Sequence, residues 1–180
     1  MRFTIKLKLA LSFAFLVVLI SVLGVFSLLK IGSVNGKANE IATNWMPSVD
    51  LSNRINTTTS DFRVSELQHV ISQDAAGMKR WLDEQNQLAD KIAKYQTQYE
   101  TLIAAPEERA LFEAFQRPWK EYMKFHEQAV DLSSRNETEK AMEIYNGVGL
   151  KVYNDASDAL LKLVDYNSKG GATAAAEGVS

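Results

Sequence analysis

The pattern of apolar and polar positions divides the chain into two unequal parts. "LALSFAFLVVLISVLGVFSLL", Leu9 to Leu29, is 21 residues without a charge. A helix needs about 20 such residues to cross a hydrocarbon core of about 30 Å. After Leu29 the apolar positions recur every three or four residues, the period of an amphipathic helix. No stretch shows the strict alternation of a half-buried strand.

Four helical stretches result from that period. The first continues from the apolar block to about Ser72, through Ile41, Trp45, Val49, Ile55, Phe62, Leu67 and Val70. Pro47 lacks an amide donor and is expected to kink or interrupt it. "SQDAAGM" reads as a turn, with Asp74 capping the second stretch. That stretch carries Met78, Trp81, Gln85, Leu88, Ile92, Tyr95, Tyr99 and Leu102, spaced as a bundle seam. Pro106 fits the first turn of the third helix, where Glu107 and Glu108 suit the positive dipole end. Its stripe is read as Leu111, Phe115, Pro118, Tyr122, Phe125, Ala129 and Leu132. Asn136 with Glu139 reads as a capping-box variant opening the fourth helix. That helix runs through Ile144, Val148, Val152, Leu160, Leu163 and Tyr166, weakened locally at Gly147 and Gly149. The expected fold is all-α: an antiparallel, up-down-up-down four-helix bundle preceded by an N-terminal transmembrane helix.

Charge orients this arrangement. Arg2, Lys6 and Lys8 precede the apolar block, so the positive-inside rule keeps residues 1–8 cytoplasmic and exports the chain beyond residues 9–29. The block is longer than the core of a cleaved signal peptide, and "VFSLLKIGS" offers no good cleavage site, which favours an uncleaved anchor. Net charge is −2 overall. Without the basic first 30 residues the remainder is acidic, about −6, which argues against nucleic acid as a partner. There is no cysteine, which excludes disulfides and thiolate metal sites.

Catalytic motifs are missing. No P-loop, G-x-S-x-G, G-x-G-x-x-G or H-E-x-x-H appears, and the only histidines, His69 and His126, stand alone in the sequence. Neither an enzyme nor a metal or cofactor site is expected. "NTTTSDFRVSEL" is more informative. On a helix Asn56, Thr59, Arg63 and Glu66 share one face. The third helix brings Arg117, Trp119 and Tyr122. A guanidinium fork binds a carboxylate through two parallel hydrogen bonds, and nearby hydroxyls can orient the rest of a small acid. The candidate ligand residues are therefore Arg63, Thr59, Asn56, Arg117 and Tyr122. The competing reading pairs Arg63 with Glu66 and Arg117 with Glu121.

The segments "NWMPSV", "DFRVSELQH", "RPWKEY" and "LLKLVDYNSKGG", behind a short basic N-terminus and one long span, resemble the periplasmic four-helix-bundle sensor of bacterial methyl-accepting chemotaxis receptors. The resemblance implies residues 30–170 as a periplasmic sensor domain and residues 171–180 as a lead into a second membrane span. It implies a homodimer in the inner membrane and a small carboxylate or amino-acid ligand. It also implies a last-helix displacement that reaches a cytoplasmic kinase through a C-terminal part this sequence does not contain. A sensor bundle of a histidine kinase or diguanylate cyclase, a module reading a solute-binding protein, and a ligand-free structural bundle are the alternatives.

Overall fold

The computed structural model describes residues 4–179, and none of these forms a strand. A single rod spans Ile5–Ile71, 67 residues, or about 100 Å at helical rise. Its first part, α1 (Ile5–Glu40), buries none of its residues. Along Ile5–Ile31 the large apolar side chains are exposed. The chain thus carries a helix long and apolar enough to cross a membrane, with no protein surface covering it.

The rod passes through one π turn, Ile41–Trp45, before α2 (Met46–Ile71). Pro47 explains its position. A proline ring clashes with the carbonyl four residues back, here that of Thr43. The preceding turn widens, and the Met46 amide bonds the Ile41 carbonyl instead. The interruption expected at Pro47 is therefore a widened turn in a continuous rod.

α3 (Ala75–Glu100) starts as the sequence suggests. The Asp74 side chain accepts from the Gly77 amide at 2.7 Å. α4 (Pro106–Ser134) opens with proline in its first turn and continues through Pro118. Its end corrects the capping-box reading. Asn136 adopts φ 59°. The Asn136 amide bonds the Ser133 carbonyl at 2.8 Å and the Glu137 amide bonds the Leu132 carbonyl at 3.0 Å. That is a Schellman stop, in which asparagine tolerates the left-handed conformation. Asn136 ends α4 rather than starting the next helix, and Glu137 takes the N-cap position without capping a helix amide through its side chain.

The fourth stretch is split. α5 (Thr138–Asn146) and α6 (Val148–Val179) meet at Gly147. α6 continues helical through the small polar residues to Val179. In the bundle α2 packs chiefly on α3, and α4 on α6 and α5, while α2 and the end of α1 lie along α6.

The core is an aromatic ladder built largely by α4. Tyr99 stacks on Phe112 at 5.0 Å between centroids, Phe115 on Trp119 at 6.3 Å, and Phe62 meets Trp119 edge-on at 5.6 Å. The buried stripe of α4 is Glu108, Phe112, Phe115, Trp119, Tyr122, His126, Ala129 and Ser133. It shares Phe115, Tyr122 and Ala129 with the expected stripe. Leu111, Pro118, Phe125 and Leu132 are only half-buried. The face is rotated because three of its positions are polar, and a hydrophobic period does not register them.

Candidate functional site

Near the end of α2 remote from α1, Arg63 turns inward. Its side chain keeps 12 % of its surface exposed, while Glu66, one turn on, is fully buried. Their nearest charged atoms are 3.6 Å apart. Arg63 Nη1 donates to the Tyr122 hydroxyl at 2.9 Å, and Nη2 donates to the Tyr145 carbonyl at 2.6 Å. One guanidinium thereby ties α2 to α4 and to the last turn of α5, just before the Gly147 break.

The rest of the cluster is organised by Glu66. A buried carboxylate must be paired and hydrogen-bonded. The Tyr122 hydroxyl donates to Glu66 Oε2, and His126 Nδ1 bonds Glu66 Oε1 at 2.8 Å. Burial pushes the Tyr122 hydroxyl pKa up, and the Glu66 charge adds to that against the opposing pull of Arg63. The same causes act on Tyr145. Among the described residues its buried hydroxyl meets no partner at full hydrogen-bond geometry, though Glu66 lies near enough to raise its pKa. The Arg63 guanidinium carbon stands 4.8 Å from the Tyr145 ring centre, 5.8 Å from Tyr153 and 5.9 Å from Tyr122, a cage of three cation–π contacts. One turn further out, His69 Nδ1 bonds the Ser133 hydroxyl at 2.9 Å. Burial lowers the His69 pKa first, and the neighbouring His126 lowers it further.

Of the residues singled out by sequence, the structure joins Arg63 and Tyr122. Thr59 is buried, but its hydroxyl donates to the Asn56 carbonyl at 2.9 Å, and Thr58 likewise serves the Arg54 carbonyl at 2.7 Å. Threonine in a helix satisfies its own hydroxyl this way, so these hydroxyls close on the helix backbone. Arg117 is exposed and lines a different cleft on α4 with Lys120, Glu121, Lys124, Phe125 and Gln128. The grouping of both arginines at one site is not observed. Glu66 emerges as the hub, a part sequence reading gave only to a competing pair. His126 was detectable in principle, lying one turn after Tyr122 on the same stripe. Tyr145 was not, because its carbonyl is presented by the break at Gly147.

The structure is thus a bundle of four long helical rods, bridged by a buried charged cluster, on a helix long and apolar enough to cross a membrane. Residues 2–180 match the family described as "Four helix bundle sensory module for signal transduction", and the chain belongs to that family. It is also 30 % identical over 182 residues to "Putative sensory transducer protein YvaQ" of Bacillus subtilis (strain 168), a match covering 98 % of this chain. The chain spans about a third of that relative's length, 31 %.

Proposed function

We propose that this is the sensor of a bacterial chemotaxis receptor. In this reading residues 9–29 cross the inner membrane and residues 30–170 form a periplasmic homodimeric domain. Residues 171–180 lead toward a second span, and a small organic acid or amino acid is the ligand. The observation that carries the reading is the setting of Arg63. Its fork is caged and only partly enclosed, and its two terminal nitrogens are spent on a neutral carbonyl and a neutral hydroxyl. A carboxylate is the stronger partner for a guanidinium. An incoming acid that takes Nη2 releases the Tyr145 carbonyl and so loosens α5 and the start of α6 from α2. Ligand affinity is thereby converted into a preference for one helix arrangement over another, which is what signalling requires. An amino acid would also bring an ammonium group to the Glu66–tyrosine side, leaving the buried charges balanced.

The homodimer has support in α2, where Met46, Val64 and Ile71 are exposed and fall on one helical face. Coupling to a cytoplasmic kinase belongs to the longer protein of which such modules are part.

A thermal-shift screen of this chain in detergent against a panel of organic acids and amino acids tests the reading. A specific ligand raises the melting temperature with the logarithm of its excess over Kd. A panel with no member that raises it contradicts the proposal.

A further inference from the structure

The junction between stalk and bundle is built around one close fit. Trp45 ends the π turn, and its indole lies directly on the backbone of α6. A Cβ added at Gly170 would fall 2.2 Å from indole Cζ3 and 2.3 Å from Cη2. At Gly171 it would meet Trp45 Cβ at 3.4 Å. The notch therefore depends on the missing side chain at Gly170, while a Cβ at Gly171 would make only an ordinary contact. Unseating the indole breaks two contacts. Its Nε1 donates to Glu40 Oε1 at 2.9 Å, and its ring packs against Tyr166 at 6.1 Å. Lys37 bridges Glu40 at 3.2 Å and Glu177 on α6 at 2.7 Å. Two turns beyond the notch a Cβ at Gly178 would lie 3.4 Å from Lys37 Cβ, continuing the same register.

We propose that Trp45 seated over Gly170 is a register stop, which fixes the longitudinal position of α6 against the α1–α2 rod and must be vacated for α6 to slide. The neighbouring positions on α6 give the reason. Moving α6 along its axis replaces Gly170 under the indole by Tyr166 or Ala174 one turn away, and Lys169 flanks the notch. Each of these carries a Cβ where the fit leaves no room for one. Interlocked surfaces of this kind have discrete arrangements and not a continuum. The π turn presents Trp45 toward α6, where its Nε1 still reaches Glu40, five residues earlier. As a positioning residue Trp45 takes no part in ligand contact. The inference rests on the reading that α6 moves in signalling, but its test needs no ligand, so failure of the Arg63 site leaves it standing.

The cysteine-free chain allows a clean assay. A Cβ separation of 3.4 Å between Lys37 and Gly178 is close to that of a disulfide. In full-chain protein in membranes, Lys37→Cys/Gly178→Cys is expected to oxidise readily, and Lys37→Cys/Ala174→Cys, which reports α6 displaced by one turn, poorly. The loss of the Lys37 bridge is common to all arms. Adding Gly170→Ala is expected to slow the first pair several-fold and to leave the second poor, because the displaced register sets Tyr166 under the indole. Adding Trp45→Ala as well should restore the first. Trp45→Ala alone, which creates space and no clash, should let both pairs form. An unchanged rate for the first pair in the Gly170→Ala protein, or an unchanged preference for it in the Trp45→Ala protein, would overturn the register stop.

Discussion

The two ends of the bundle are held by opposite means. At the remote end a fully buried carboxylate, a guanidinium, two tyrosines and a histidine bridge α2, α4 and α5 through directed hydrogen bonds. At the stalk end an aromatic ring fits a glycine notch, and the ion pairs around it, Lys37 with Glu40 and Glu177, are partly exposed, at 33–55 % of their side-chain surface. Buried polar groups lose much when one partner is removed, because the others stay in the interior uncompensated. Exposed pairs lose little. The remote end is thus sensitive to chemistry, as a site of stimulus would be. The stalk end is sensitive to shape and indifferent to charge, as a mechanical stop would be.

The sharpest test of that contrast is Glu66→Gln. It leaves Arg63 charged in the interior without its counter-ion, and a loss of about 3–5 kcal/mol is expected in urea unfolding. A loss near zero would mean the cluster is wetter and looser than described. Tyr122→Phe keeps the ring in the aromatic ladder but removes the hydroxyl between Arg63 and Glu66. The expected cost is about 1–3 kcal/mol, with a Phe115→Ala control at about 3–5 kcal/mol setting the scale for core packing alone.

A third prediction concerns pH. The folded-state pKa of His69 lies below its ordinary value of 6.5, through burial and then His126. The folded chain consequently binds fewer protons there than the unfolded one. That contribution to stability is complete above about pH 6.5 and declines as the pH falls through the window beneath it. Melting curves of His69→Asn against wild type should show a shallower decline on the acid side, and equal declines would remove His69 from the explanation. The smallest effect is expected at the stalk. Lys37→Met should leave the melting temperature nearly unchanged and abolish what little salt dependence the junction has.

The readable parts of the sequence were those encoded locally. The cap at Asp74, the proline in the first turn of α4 and the weak point at Gly147, though not the full split there, each depend on a few neighbouring residues, and the seam of α3 emerges from period alone. The stripe on α4 came out rotated because Glu108, His126 and Ser133 are buried by partners on other segments. Glu108 accepts from Tyr99 at 2.8 Å, and Ser133 bonds His69. The polar cluster was half legible for the same reason. Arg63 stood out by residue type, but its bond to the Tyr145 carbonyl spans 82 positions. No local rule announces such a contact. The notch at Gly170 was invisible as well, since "KGG" looks like a flexible linker until Trp45 is placed on it.

The role of the Arg63 fork is tested head-on by calorimetric titration of wild-type protein and Arg63→Lys with whichever acid gives the largest thermal shift. Lysine keeps the positive charge beside Glu66 but lacks the planar fork. Arg63→Lys is expected to stay folded and to lose most of its affinity for the acid. Equal affinity in the two proteins would contradict acid capture by the guanidinium.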